Sequence, residues 1–138
     1  MSTTLQSPLV LVVDDDSTMR LLARETLEQA GFRVEEAEDG QAAVSAFEAL
    51  RPDVILLDVM MPVLDGFEVC AALRKLEGGE DVPVLMMTGL HDADSLNRVY
   101  AVGATDFITK PVMWAMLTHR VNYVLPANRA FLRRRDNC

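Results

Sequence analysis

The chain has 138 residues, of which half are hydrophobic and a quarter charged, a composition typical of one globular domain with a sizeable core. Its 21 acidic and 13 basic side chains leave a formal net charge of −8, which argues against direct binding to nucleic acid. No apolar run approaches the ~20 residues that a membrane helix needs, and the N-terminus lacks the pattern of a signal peptide. The two cysteines make no disulfide framework, so we expect a cytoplasmic protein.

Five short apolar runs predict β-strands, and the segments between them have the apolar spacing of helices. In chain order, the predicted strands are residues 9–13, 32–37, 54–57, 84–87 and 106–108. Gly31 ends the first predicted helix, Asp39 caps the second, and the third follows Asp65. The fourth and fifth helices follow the fourth and fifth strands, and we expect Pro126 to break the fifth helix or to start a new one.

The strict alternation of strand and helix predicts an α/β fold with a five-stranded parallel sheet and helices on both faces. The first, third and fourth strands are apolar throughout, as central strands are, whereas the second alternates as an edge strand does. This pattern favours the doubly wound, flavodoxin-like order 2-1-3-4-5. We expect residues 1–7 to be an N-terminal lead, 8–125 the domain, and 126–138 a helical tail or linker stub, in either an excised domain or a stand-alone protein.

The candidate site consists of the residues just beyond the predicted strands, because ligands of open parallel sheets bind outside the carboxyl ends of the strands. The polar residues there are Asp14, Asp15, Asp16, Asp58, Thr88 and Lys110. Clustered carboxylates suit a hard divalent cation, Mg²⁺ or Mn²⁺, and a neighbouring aspartate can attack phosphorus to form an acyl phosphate. An ammonium and a hydroxyl would stabilise the remaining oxygens of the phosphoryl group, so the sequence predicts a phosphoryl-transfer site.

Four stretches carry a resemblance to a known family: LVVDDDSTMR, PDVILLDVMMPVLDGFEV, VPVLMMTG and GATDFITKP. In this order and spacing they resemble the receiver domain of two-component response regulators, of the chemotaxis-regulator type, over about residues 8–125. The resemblance implies a chain that accepts a phosphoryl group from a histidine kinase or histidine phosphotransfer protein and then switches conformation. It implies no turnover of an external substrate, so we do not expect an enzyme.

Matched position by position, the resemblance assigns the phosphoacceptor role to Asp58. Asp15 matches the direct metal ligand of the acidic pair, and Asp14 matches its partner, which usually acts through water. Met60 matches the residue that offers its backbone carbonyl to the metal. The resemblance therefore implies a Mg²⁺ site made by Asp14, Asp15, Asp58 and Met60.

The resemblance also implies a conformational switch. Thr88 matches the switch hydroxyl, Lys110 the lysine that contacts the phosphoryl group, and Phe107 the aromatic switch position. Pro111 follows Lys110, where the family usually has a cis peptide bond. The face formed by the fourth helix, fifth strand and fifth helix would then contact an output domain, a target protein or a second copy of the chain.

The sequence departs from the common family pattern in two places. Met60 and Leu90, each two residues after a site residue, are apolar, from which we expect a poorly positioned hydrolytic water and a slow loss of the phosphoryl group. Trp114 and the RVxYxL segment at residues 120–125 look more like receivers placed ahead of cyclic-di-GMP synthase or phosphodiesterase domains.

Two other functions fit parts of the same pattern. Asp14, Asp16 and Thr18 spell the D-x-D-x-T motif of haloacid-dehalogenase-type phosphatases, with Asp14 as nucleophile and Asp16 as general acid. That mechanism needs an acidic pair after the lysine, where only Asp136 is found, and it leaves Asp58 without a role. A flavin-binding module on the same fold is disfavoured, because three carboxylates would repel the flavin phosphate.

Overall fold

Five parallel strands alternate with five helices within residues 7–89 and 92–136, which the computed structural model describes, with side chains described up to residue 125. The strands are β1 (Leu9–Val13), β2 (Arg33–Ala37), β3 (Val54–Asp58), β4 (Val84–Thr88) and β5 (Asp106–Thr109). The helices are α1 (Ser17–Gln29), α2 (Gly40–Leu50), α3 (Gly66–Arg74), α4 (Ala93–Ala101) and α5 (Trp114–Asp136).

The sheet has the order β2-β1-β3-β4-β5, which confirms the predicted topology. β1, β3 and β4 are buried along their whole length, as their uninterrupted apolar sequences require. β2 is an edge strand that exposes Arg33, Glu35 and Glu36. Because β1 and β3 pair directly, the residues that end these two strands become neighbours.

Each face of the sheet carries its own hydrophobic core. On one face, α1 and α5 pack through residues such as Leu27 and Leu117 against alternate residues of the strands. On the other face, α2, α3 and α4 pack through residues such as Phe47, Leu73 and Val99. With both faces covered, the carboxyl edge of the sheet remains open to a ligand.

Four helices begin at an aspartate whose side chain accepts a backbone N–H of the first turn. These N-cap residues are Asp16, Asp39, Asp65 and Asp92. At the start of α3 the Glu68 side chain also accepts the N–H of Asp65, which completes a capping box. Each cap stabilises its helix by about 1 kcal/mol and fixes where the preceding loop ends.

The prediction that Pro126 breaks or restarts the fifth helix is wrong. α5 continues through this proline to Asp136. A proline within a helix removes one intrahelical hydrogen bond because it lacks the N–H, but this loss does not end α5. None of the helices in the described part of the chain combines the length and hydropathy that a membrane span needs.

Candidate active site at the carboxyl edge of the sheet

Three carboxylates meet where β1 and β3 end. Asp14 follows β1 directly and Asp58 is the last residue of β3, and the register pairs Val13 with Leu57. One carboxylate oxygen each from Asp14, Asp15 and Asp58 lies within 4.8 Å of the others. The structure therefore brings together residues that are 44 positions apart in the sequence.

Asp14 is the most constrained member of this carboxylate cluster. Its side chain is 1 % exposed, and its Oδ1 accepts the backbone N–H of Asp16 at 2.9 Å. Its Oδ2 is buried and has no hydrogen-bond partner among the described residues. The pKa of Asp14 is raised from its ordinary 3.8 to about 6, chiefly by burial. The Asp16 N–H lowers this pKa, and the negative charge of Asp58 raises it further.

Asp58 forms an ion pair with Lys110. Its side chain is 2 % exposed, and Lys110 Nζ lies 2.5 Å from its Oδ1, as an ion pair rather than a well-aligned hydrogen bond. Burial raises the pKa of Asp58 above its usual value, and the Lys110 ammonium offsets only part of this rise. Lys110 reaches this position because its backbone N–H donates to the Thr88 carbonyl at 2.9 Å, at the end of the β4–β5 pair.

The loop from Asp58 to α3 passes very close to the sheet. The Gly66 N–H donates to the Val59 carbonyl at 2.8 Å, and a Cβ at Gly66 would lie 2.4 Å from the Asp58 carbonyl oxygen. In the same loop Val63 has a φ of 70°, and its side chain is 99 % exposed. The Met60 side chain is 62 % exposed, and the Met60 backbone N–H lowers the pKa of the Asp58 carboxyl, against the larger raising effect of burial.

The remaining predicted residues lie at the ends of β4 and β5. Thr88 ends β4 and is buried, in register with Thr109 of β5. The Phe107 side chain is half-buried, and its ring meets the Tyr100 ring edge-on with centroids 6.0 Å apart. The Lys110–Pro111 bond is cis. Leu90 lies outside the described residues.

Two residues that contact the backbone of the carboxylate cluster were not among the predicted site residues. Arg20 of α1 donates from Nη1 to the Asp14 carbonyl at 2.7 Å, and Gly66 permits the close approach to Asp58. Both residues stand inside the stretches quoted above for the family resemblance, as LVVDDDSTMR and MMPVLDG. Their contacts with the backbone of the site depend on the packing of α1 and on the path of the β3–α3 loop.

The geometry disfavours the phosphatase alternative. The Asp16 side chain is exposed at the N-cap of α1, where its Oδ1 accepts the N–H groups of Thr18 at 2.9 Å and Met19 at 3.4 Å. It therefore serves the helix terminus, and it is not a member of the cluster of Asp14, Asp15 and Asp58. A general acid would instead face the reacting oxygen.

The carboxylate cluster fits a hard divalent cation. Three carboxylates supply the oxygen ligands that Mg²⁺ prefers, and a cation would give the buried Asp14 Oδ2 the partner that it lacks among the described residues. Without a cation, like charges at this distance raise each other's pKa values, as Asp58 and Asp15 do for Asp14. The donor set therefore suits a hard divalent cation such as Mg²⁺.

The chain has relatives among characterised signalling proteins. It is 40% identical over 129 residues to the DNA-binding dual master transcriptional regulator RpaA of Synechocystis sp., covering 94% of this chain and 51% of that protein. It is 41% identical over 137 residues to the transcriptional regulatory protein PrrA of Mycobacterium tuberculosis, covering 99% of this chain and 55% of PrrA. The chain thus spans about half the length of these curated relatives.

Solved structures show the same fold. The chemotaxis protein CheY4 of Vibrio cholerae superposes with a TM-score of 0.83 at 37% sequence identity, covering 86% of this chain and 99% of CheY4. Residues 10–122 match the family described as the response regulator receiver domain, whose members are signalling phosphoacceptors rather than enzymes that turn over a substrate. The chain belongs to the response regulator receiver domain family.

Proposed function

We propose that the chain is a phosphorylation switch in which Asp58 accepts the phosphoryl group in the presence of Mg²⁺. The observation that carries this proposal is the environment of Asp58, a buried carboxylate that shares an oxygen cluster with Asp14 and Asp15 and forms an ion pair with Lys110. A carboxylate placed between a cation site and an ammonium can act as a nucleophile toward phosphorus, because both neighbours attract the phosphoryl oxygens.

The metal would be held by carboxylate oxygens of Asp14, Asp15 and Asp58, together with the backbone carbonyl of Met60. When bound, Mg²⁺ supplies positive charge that relieves the repulsion among the carboxylates and attracts a phosphoryl oxygen. The Asp14 N–H donates to the Ala37 carbonyl at 3.1 Å, which ties this part of the site to the end of β2.

The transfer itself needs few groups. An oxygen of Asp58 forms a bond to phosphorus while the phosphorus–nitrogen bond of a phosphohistidine donor breaks, and the electron pair leaves with the histidine nitrogen. The Lys110 ammonium then pairs with the oxygens of the new phosphoryl group in place of the Asp58 carboxylate. The Thr88 hydroxyl, at the end of the neighbouring strand, donates a hydrogen bond to the same group.

The donor would be a histidine kinase or a histidine phosphotransfer protein, and the signal would leave through the face of α4, β5 and α5. On that face Tyr100 is half-exposed against Phe107, and Arg120 donates to Asp106 at 2.8 Å and to the Phe107 carbonyl at 2.9 Å. A movement of Phe107 would therefore alter its ring contact with Tyr100 and the hydrogen bond that its carbonyl accepts from Arg120. The partner is an output domain, a target protein or a second copy, and the two transcriptional regulators above favour a transcriptional output over the cyclic-di-GMP class.

The test is labelling with acetyl phosphate and Mg²⁺, followed by intact-protein mass spectrometry. The wild type is expected to gain one phosphoryl group only when Mg²⁺ is present, and Asp58→Asn is expected to gain none. Asp16→Asn is the matched control, because it makes the same change in an exposed aspartate of the same edge and retains a good N-cap. Labelling that persists in Asp58→Asn, or is absent from the wild type, would contradict the proposal.

A further inference from the structure

Arg20 connects the carboxylate cluster to the edge of the sheet. Its side chain is 15% exposed, and its Nη1 donates to the Asp14 carbonyl at 2.7 Å. Its Nε donates to Glu36 Oε1 of β2 at 2.9 Å. One guanidinium thus makes two directed hydrogen bonds, which a planar fork of donors can do with little loss of side-chain freedom.

Glu36 is itself held in place from α1. Arg24 donates from Nε to Glu36 Oε2 at 2.6 Å, and from Nη1 to Glu28 at 2.8 Å. The guanidiniums of Arg24 and Arg20 lower the pKa of Glu36, so this acceptor remains charged near neutral pH. Arg20 is therefore oriented by a fixed carboxylate and aims its second nitrogen at the backbone of Asp14.

The carbonyl that Arg20 binds belongs to the peptide that joins Asp14 to Asp15. β1 ends at Val13, so this peptide lies beyond the strand. The Asp14 N–H is held by Ala37 at 3.1 Å, and the carbonyl on the other side of Asp14 is held by Arg20. Fixing this carbonyl orients the plane of the Asp14–Asp15 peptide, and that plane sets the direction in which the Asp15 side chain leaves the backbone.

We propose that Arg20 is a positioning residue for the metal site, which holds the Asp14–Asp15 peptide so that both carboxylates converge on one cation. The inference rests on the proposed function, because it presupposes that Mg²⁺ binds the cluster of Asp14, Asp15 and Asp58. Arg20 touches the backbone of Asp14, while Oδ1 of its carboxylate accepts from the Asp16 N–H. Arg20 therefore contributes to metal binding by orienting the backbone, not by contacting a carboxylate ligand.

The sign of the effect separates positioning from simple electrostatics. Arg20 is a positive charge close to a cation site, so removing it should strengthen Mg²⁺ binding if charge alone mattered. Loss of groups that orient metal ligands weakens metal affinity by about 10- to 100-fold. Since the two effects oppose each other, we expect Arg20→Gln to bind Mg²⁺ about 10-fold more weakly than the wild type.

Arg24→Gln is the matched control. It removes the same charge from the same helix and a hydrogen bond to the other oxygen of Glu36, and within the described residues Arg24 binds Glu36 and Glu28 rather than Asp14. Arg24→Gln removes one of the two arginines that hold Glu36, but it leaves the direct hydrogen bond from Arg20 to the Asp14 carbonyl in place. Its Mg²⁺ affinity is therefore expected to lie close to that of the wild type and clearly above that of Arg20→Gln. Arg20→Lys keeps the charge but loses the two-point fork, and it is expected to lie between the wild type and Arg20→Gln.

The experiment is isothermal titration of Mg²⁺ into the four full-length chains at constant ionic strength, with melting temperatures measured in EDTA. A purely structural role would lower the melting temperature and leave the affinity of the folded protein unchanged. The proposal is wrong if Arg20→Gln binds Mg²⁺ as tightly as the wild type, or if Arg24→Gln weakens binding as much. If the wild type itself binds no Mg²⁺, the proposed function fails first.

Discussion

Replacing Asp14 with asparagine is expected to stabilise the metal-free protein while abolishing its response to Mg²⁺. The side chain is buried, and its Oδ2 has no partner among the described residues. Asparagine has nearly the same shape, and its oxygen can still accept the Asp16 N–H that lies 2.9 Å from Asp14 Oδ1. The substitution therefore removes a charge with little change in packing.

The size of the effect follows from the pKa of Asp14, which is 3.8 ordinarily and about 6 in the folded protein. The gap between these values corresponds to about 3 kcal/mol, at 1.36 kcal/mol for each pKa unit. Because the folded pKa is the higher one, the favourable contribution of this group is complete below 3.8 and is lost as the pH rises through about 6. At neutral pH the wild type carries the full cost of this charge, and Asp14→Asn does not.

Urea unfolding in EDTA measures this difference. The free energy of unfolding of Asp14→Asn should exceed that of the wild type by up to about 3 kcal/mol at about pH 7.5, and the difference should shrink toward about pH 4. With Mg²⁺ in place of EDTA, the wild type gains stability by binding and the variant does not. The exposed Asp16→Asn serves as control. A variant less stable than the wild type in EDTA at neutral pH, or a difference that does not change with pH, would refute the reasoning.

Three further predictions concern the loop between β3 and α3 and the first residue of α3. Val63→Gly should stabilise the fold by about 0.5–1 kcal/mol, as measured by urea unfolding. Relief of the left-handed backbone strain at Val63, about 1–2 kcal/mol, exceeds the entropic cost of a glycine. An unchanged free energy of unfolding would contradict strain at the φ of 70°. Gly66→Ala should cost at least about 1–3 kcal/mol and weaken Mg²⁺ binding, since its Cβ would meet the Asp58 carbonyl, whereas Gly89→Ala meets nothing within 4 Å and should do neither. Met60→Asn should hasten the loss of the phosphoryl group, which mass spectrometry can follow over time. An unchanged decay rate would contradict the hypothesis that the apolar Met60 side chain leaves the hydrolytic water poorly positioned.

Much of the fold could be predicted from local patterns. The continuous apolar runs of β1, β3 and β4 identify strands buried on both faces, and Asp39 and Asp65 mark helix starts through the hydrogen bonds that they make. For the fifth helix, the apolar spacing of Met113, Leu117, Val121 and Val124 predicts that Met113 lies on the inner face, but α5 begins at Trp114 and Met113 is exposed. Periodicity assigns a residue to a face, but it cannot tell where a helix begins when the cap has no signature.

The candidate site was predictable in membership rather than in geometry. Parallel strands carry their carboxyl ends to one edge, so Asp14, Asp58, Thr88 and Lys110 had to be near one another once the order of strands was inferred. The Lys110–Asp58 ion pair and the raised pKa of Asp14 required the actual depth of burial. Depth depends on how all five helices cover the sheet, and no short window of sequence contains that information.

By itself, the sequence determined that the chain folds as a doubly wound sheet with acidic residues beyond its first and third strands, because buried strands and chain direction are visible in the spacing of apolar residues. Only the tertiary structure decided which Asp14 oxygen lacks a partner, how closely Gly66 approaches Asp58, and that Arg20 reaches from Glu36 to the Asp14 carbonyl. The Arg20 contacts arise from the register that pairs Val13 with Ala37 and from the packing of α1 against β2, whereas the approach of Gly66 follows from the path of the β3–α3 loop. Arg20 of α1 joins Glu36 of β2 to the residue that follows β1, and the direction of a side chain across such a contact is set by the whole fold.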